Sequence, residues 1–345
     1  MTVELIETLC RIPGVTGDEA AVAAEIECRM STAGCETSYD KMGNLIVKKK
    51  GKMRPKTPVT LYAHMDEVGL IISKIDKDGF LRFKTVGGID PRVLLSKTVF
   101  VGEKRVRGVI GVKAVHLQTK EAREKAPETD KMYIDIGARD EEDAKNHVRL
   151  GDFASFDDDI VYFGQRRVCA KALDDRAGCA AIIETLSGEL LYDAKAVFTV
   201  GEEIGTRGAR VGAAEADGGV AVIIETTTCA DFDGVPENKK VTRLGEGPAI
   251  SFIDNSTFYD PALVRFALSC ATENDITHQV KKSGAGGNDA GAVSQGFGGH
   301  KVLSVSMPCR YLHSPSSVIS LDDYDNTKRL IAALIIKLGE QGYEY

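Results

Sequence analysis

Two acidic doublets constrain this chain more than anything else in it. Asp174 and Asp175 sit in Cys169-Ala-Lys-Ala-Leu-Asp-Asp-Arg-Ala-Gly-Cys179, where an apolar run meets a small-residue helix. Glu202 and Glu203 directly follow the strand-like Ala196-Val-Phe-Thr-Val200. Adjacent carboxylates repel and are costly to dehydrate, so a fold that carries two such pairs at strand ends has to bring positive charge to them. A divalent cation meets that need, because carboxylates are good hard ligands. Alone, an acidic pair is more often a solvated turn. Its company along the chain decides between the two.

The texture of that chain is α/β with an interruption. Residues 17–30 have helical apolar spacing behind Asp18, a capping candidate. Asn44–Lys50 and Val59–Ala63 read as strands, the second apolar enough to be buried on both faces. His64-Met-Asp-Glu-Val-Gly69 therefore leaves a strand at its carboxyl end, where open α/β sheets bind ligands. From about 70 to 165, short β-branched runs (Leu70–Ile75, Phe80–Thr85, Val106–Lys113, Met132–Ile136) are punctuated by Asp-Gly and Gly-Gly turns, with one charged helix near 140–148. That is the pattern of a small β-rich insertion. Its charge-dense Thr119–Asp130 reads as an exposed loop. After 166 the alternation resumes, with helices over 175–190, 207–215, 260–273 and 321–341 and strands over 195–200, 220–225 and 301–306. The expected plan is one unit split in sequence, 1–69 with 166–345, around an insertion at 70–165.

At 345 residues, with 43% apolar and 28% charged residues, the chain has the composition of a soluble globular protein with a large core. A net charge of −7 argues against a general binder of nucleic acid or anionic membrane, since both need a basic face. The 8 cysteines show no Cys-x-x-Cys spacing and mostly lie in apolar segments, as buried free thiols of a reducing cytosol do. Neither a secretory leader nor a membrane-length apolar run is visible, so the cytoplasm is the expected compartment.

Acidic and imidazole residues recur at the expected strand ends: His64, Asp66, Asp174, Glu202, Glu203, Asp231 and His313. In His64-x-Asp66 the carboxylate can fix the imidazole's tautomer. Two imidazoles and three carboxylates form the N/O donor set that zinc, cobalt or manganese accepts, with one bridging carboxylate if two ions are held. Each residue also has a plainer reading: His64 a satisfied polar residue, Asp231 a turn residue in Asp231-Phe-Asp-Gly234, His313 part of a loop. His116, His147, His278 and His300 lack such company and read as structural.

Five motifs carry a resemblance. Ala63-His-Met-Asp-Glu-Val-Gly69, Leu173-Asp-Asp-Arg-Ala-Gly178, Glu202-Glu-Ile-Gly-Thr-Arg-Gly-Ala209, Thr228-Cys-Ala-Asp231 and Pro308-Cys-Arg-Tyr-Leu-His-Ser-Pro315 are similar, in order and context, to those of the M42 family of metallo-aminopeptidases, the glutamyl/leucyl and tetrahedral aminopeptidase group. The likeness runs through the insertion as well. Asn288 stands where the family usually has Thr, and Asp233 where many members have Pro. The resemblance implies a zinc-peptidase-like mixed sheet with helices on both faces, interrupted by a PDZ-like or β-barrel dimerisation domain. It implies two divalent ions (Zn2+ or Co2+, with Mn2+ as an option): His64 and Asp231 on one, Glu203 and His313 on the other, and Asp174 bridging. Asp66 would orient His64, Glu202 would be the general base, and the Asp174–Asp175 peptide would be cis. Gly286-Gly-Asn-Asp-Ala-Gly291, with Gly287 and Asp289, would shape the substrate pocket.

The activity so implied is removal of N-terminal residues from short peptides by metal-activated water, in a homodimer or a tetrahedral dodecamer, with no nucleic-acid or membrane partner. Two other readings compete. A carboxylate pair could serve glycoside hydrolysis, but Glu202 and Glu203 are adjacent and the chain has no Trp for sugar stacking. A non-catalytic assembly protein could keep the fold, against which stands the full complement of matched ligands and base.

Overall fold

The apolar runs that read as doubly buried strands form the middle of one sheet. The computed structural model of the protein describes residues 2–343, apart from 217 and 283. Strands β1 (Glu36–Tyr39), β2 (Leu45–Lys49) and β3 (Val59–His64) come first. They are followed by β4 (Gly69–Ile75), β5 (Leu81–Val86), β6 (Thr98–Val101), β7 (Val106–Gly111), β8 (Tyr133–Asp135) and β9 (Phe153–Phe156). The chain continues with β10 (Val161–Phe163), β11 (Arg167–Ala170), β12 (Ala194–Thr199) and β13 (Val220–Thr228), then β14 (Ala249–Ile250), β15 (Gln279–Val280), β16 (Lys301–Cys309) and β17 (Ser317–Ser320).

Eight of these make the main sheet, in the order β1-β2-β12-β3-β13-β16-β14-β15. Its centre, β12-β3-β13-β16, is parallel. Every residue of β3 and all but the last of β13 are buried, which requires helices on both faces. Helix Leu173–Ser187 packs on β3 and β13 together with helices Thr2–Arg11 and Leu321–Gln341, while Arg207–Gly212 and Asp289–Gln295 pack on each other as a second layer. The helix expected over 17–30 spans Ala20–Thr32, and the cap expected from Asp18 is not made. Glu19 instead accepts the amides of Gly17 and Gly201.

Parallel register decides where the chemistry emerges. Thr199 pairs with His64, so β12 and β3 end side by side. Ile223 pairs with Tyr62, so two residues further on Glu225 stands level with His64. These carboxyl ends form one edge of the sheet.

The segment between β3 and β10 is a second body with its own core. β4-β5-β8-β7-β6-β9 close into a barrel around Leu70, Ile72, Phe83, Val99, Ile110 and Phe156. Closure leaves no open edge in a short-stranded sheet. β10 belongs elsewhere: it pairs with β11, which pairs with β17, outside the barrel. All eight cysteines are free thiols, six of them buried and Cys28 exposed.

Candidate metal centre and active cleft

Asp174 lies in the first turn of the helix Leu173–Ser187 at the carboxyl edge of the sheet, behind the cap residue Ala172 with φ 55. The Asp174–Asp175 peptide is cis, as the motif implied. Each oxygen of Asp174 faces a different imidazole. Oδ1 lies 3.3 Å from His64 Nε2, and Oδ2 lies 3.3 Å from His313 Nε2. Glu225 Oε1 is 3.5 Å from the same His64 nitrogen, and Glu203 Oε2 is 3.3 Å from the same His313 nitrogen. Two donor clusters result, His64–Asp174–Glu225 and Asp174–Glu203–His313, joined through one carboxylate.

The outer nitrogens are held as well. His64 Nδ1 is 3.0 Å from the Asp66 carbonyl oxygen, which fixes Nδ1 as the donor and leaves Nε2 free to ligate. His313 Nδ1 is 3.0 Å from the carbonyl of Gly88, which lies on the loop after β5 of the barrel. Thr226 Oγ1 donates to Asp174 Oδ1 at 2.8 Å.

The clusters suit a metal better than they suit each other. Charged N–H···O bonds close to about 2.7–2.9 Å, whereas two donors on a tetrahedral ion at about 2.0–2.1 Å stand about 3.3 Å apart. The observed 3.3–3.5 Å matches the second figure. Electrostatics agree. Burial, then Asp174, pushes Glu203 up to about 8, and burial raises Glu225 to about 7. Burial, reinforced by Glu225, Asp289 and Glu203, holds Glu202 well above the usual carboxylate range. Burial works against Asp174 too, but the two imidazoles outweigh it and keep it ionised. Carboxylates held protonated by their neighbours are a site short of positive charge. Two imidazoles and three carboxylates fit zinc, cobalt or manganese.

Residues 43–330 match the sequence profile of the family described as M42 glutamyl aminopeptidase. The chain belongs to the M42 peptidase family. It is 34% identical to the lysyl aminopeptidase of Pyrococcus furiosus over 97% of both chains. Among solved structures, a TET aminopeptidase of a marine-sediment Thaumarchaeota archaeon superposes with TM-score 0.93 at 32% identity, covering 99% of this chain and 97% of that one. The TET1 peptidase of Pyrococcus horikoshii, described as assembling into a tetrahedron or a large octahedral shell, is 34% identical with TM-score 0.84 over 97% and 99%. A Thermotoga maritima structure described as an endoglucanase is 35% identical with TM-score 0.78 over 96% of each.

In this M42 peptidase one residue of the ligand set implied by the resemblance lies apart from the others. Asp231 belongs to neither donor cluster. Its oxygens accept Arg310 Nε and Nη2 at 2.7 and 2.8 Å and the Leu244 amide at 3.2 Å. Burial raises its carboxyl, but Arg310 outweighs this and holds it at about 2. The carboxylate that does cluster with His64 and Asp174 is Glu225, inside β13. Asp66 flanks His64 Nδ1 with both its carbonyl oxygen, at 3.0 Å, and its carboxylate, at 3.5 Å. The carboxylate accepts the amides of Glu202 and Glu203 at 3.0 and 3.2 Å and the Thr16 hydroxyl at 2.7 Å. It therefore sets the loop that carries both glutamates.

Glu202 and Glu203 open onto a cleft of about 950 Å³, shared with Arg210, Asn255, Gly287 and His313. Gly287 lines this cleft as expected; Asp289 does not, being buried behind it and accepting Thr199 Oγ1 at 2.6 Å. Asn288 caps the helix Asp289–Gln295 through Ala290 N and reaches Ser304, so the unusual residue there has a structural task. Among the residues that matter here, Glu225, Thr226 and the Gly88 carbonyl were not singled out by sequence. A Glu inside the apolar run Val220-Ala-Val-Ile-Ile-Glu225 was the available signal, because a buried lone carboxylate demands a partner.

Proposed function

We propose that the protein is a dinuclear-metal aminopeptidase that removes N-terminal residues from short peptides. The observation that carries this reading is the division of Asp174 between two imidazole–carboxylate pairs beside a carboxylate, Glu202, that faces a cleft. His64, Glu225 and Asp174 Oδ1 would hold one ion; Glu203, His313 and Asp174 Oδ2 would hold the other. When bound, such ions polarise a peptide carbonyl and acidify water. Glu202 accepts the water's proton and returns it to the leaving amine, with its backbone held by Asp66 throughout. The raised affinity of Glu202 for a proton suits a general base. The carboxylate-rich wall of the cleft also suits the free α-amino group of a peptide, which restricts cutting to chain ends.

The endoglucanase description of one relative supports a glycosidase reading only by analogy. Here Glu203 is committed to His313, and no Trp is available to stack on sugar. Self-assembly through the barrel is part of the proposal, supported by the shell-forming relative and by exposed Val115 and Leu117 on the insertion. A cytoplasmic setting accords with eight free thiols; among the described residues no helix is long and apolar enough to cross a membrane.

The test is turnover of aminoacyl-p-nitroanilides (Leu, Glu, Asp, Lys and an N-acetylated control) by chelated protein before and after zinc or cobalt is returned. Metal-restored cleavage of the free-amine substrates, with the acetylated control untouched, is the expected result. Cleavage of the acetylated control, or carboxymethylcellulose hydrolysis that survives chelation, would overturn the reading.

A further inference from the structure

A second groove, of about 850 Å³, adjoins the cleft that holds Glu202. Gly88 and His313 line both, so the two spaces meet across the His313 imidazole. Either is large enough for a small ligand. Their walls differ in charge. The first presents Glu202 and Glu203 against the single cation Arg210. The second runs between the barrel segment Asp90–Lys97 and the loop Tyr311–Ser316, and it presents Arg92 and Lys97. Arg92 is already neutralised by a forked pair with Asp90. Lys97 is half-buried, and no carboxylate among the described residues pairs with it. Its charge is nonetheless felt on the groove wall: burial raises the Cys169 thiol, and Lys97 is one of the groups that pull it back. Phe163 and Tyr311, 48% and 55% exposed, add apolar walls, Tyr311 being stacked on Phe232 at 5.6 Å between ring centroids.

We propose that this groove binds the part of a short peptide beyond the scissile bond, with Lys97 pairing to the free C-terminal carboxylate. The assignment rests on the aminopeptidase reading above and follows from polarity. A short peptide is positive at its amino end and negative at its carboxyl end. Carboxylates outnumber the cation in the first space and cations outnumber the carboxylate in the second, with His313 of one donor cluster on the wall they share. With the amino end at Glu202, the carboxyl end of a short peptide points towards Lys97. The enzyme is thereby a reader of both termini, which favours di- to tetrapeptides over long chains.

The experiment compares Leu-Gly-Gly with Leu-Gly-Gly amide on zinc- or cobalt-loaded enzyme, in wild type, Lys97→Met and Lys97→Arg. For wild type, KM should be about five- to tenfold lower for the acid than for the amide, as expected for a partly buried charged contact, with similar kcat. Lys97→Met should remove that difference by raising KM for the acid alone, and Lys97→Arg should restore most of it. Equal KM for acid and amide in wild type would overturn the groove assignment while leaving the aminopeptidase standing. A rise for both substrates in Lys97→Met would do the same, marking a general loss of structure. If neither peptide is cut by loaded wild type, the aminopeptidase reading falls and this inference with it.

Discussion

Replacing Glu225 and Asp231 one at a time separates a ligand from a strut. Glu225→Gln keeps the shape of the side chain but removes a charge facing His64 Nε2 at 3.5 Å. Loss of even an outer partner of a metal ligand costs about 10–100-fold in affinity, so a direct ligand should cost at least ~100-fold. That loss should fall on one ion of two, because the Glu203–His313 cluster does not include Glu225. Asp231→Asn should leave both ions in place and act on stability instead. Its carboxyl is held at about 2 against an ordinary 3.8, chiefly by Arg310 working against burial. At 1.36 kcal/mol per pKa unit the difference is worth about 2 kcal/mol, an upper figure. Arg310 is 32% exposed, so solvent screening reduces it to about 1 kcal/mol. Because the folded pKa is the lower one, this contribution is fully present above about pH 4 and is lost as pH falls through about 2. At pH 7 the variant should therefore melt about 1–2 °C below wild type for a chain of 345 residues. Equilibrium dialysis followed by elemental analysis counts the ions, and differential scanning fluorimetry reads the melting point. An Asp231→Asn protein that loses one equivalent while Glu225→Gln keeps two would refute the assignment.

Glu202→Gln should keep both ions, because Glu202 belongs to neither donor cluster, and lower kcat about 10²–10⁴-fold; metal-replete protein with normal turnover would exclude it as the base. Metal affinity of chelated protein should rise with pH through 7 to 8, since burial and neighbouring carboxylates leave Glu225 and Glu203 protonated below about 7 and about 8, and binding must displace those protons. Calorimetry in buffers of different ionisation enthalpy would show the released protons. For the same reason the chelated protein should lose stability as pH rises from 4.5 towards 8, because its folded state binds protons the unfolded chain has already released. Gly208→Ala should destabilise by about 1–3 kcal/mol, its added methyl meeting the Val200 carbonyl and Asn44 Oδ1, as thermal melts would report.

Much of this architecture was legible because the signals were local. Val59–His64 and Lys301–Cys309 are apolar enough to announce buried strands, and His64, Asp174 and Glu203 lie where such segments stop or turn. Asp231 misled because Asp is a common residue in loops after strands and stands in a recognisable motif. Nothing local reveals that Arg310, 79 residues away, occupies its oxygens. Glu225 was hidden by the opposite cause. Reading the strand as ending at 225 made the residue look like a boundary, whereas β13 continues to Thr228 and buries it opposite Ser306. The insertion showed its β character but not its closure, since pairings such as β4 with β9 join residues some 80 positions apart and depend on no short-range pattern. The allocation of β10 to β11 was lost for the same reason, as a three-residue strand carries too little periodicity to choose a partner.

The hydrogen bond from His313 to the Gly88 carbonyl makes the barrel a tenant of the metal site. Whatever fixes the barrel's loop narrows the positions open to one ligand imidazole, and whatever anchors that imidazole narrows the positions open to the loop. Binding energies coupled in this way are reciprocal. If subunits join through the barrel, the factor by which assembly tightens the ion on Glu203 and His313 is the factor by which that ion tightens the assembly. Metal supply would then set the size of the particle as well as its chemistry.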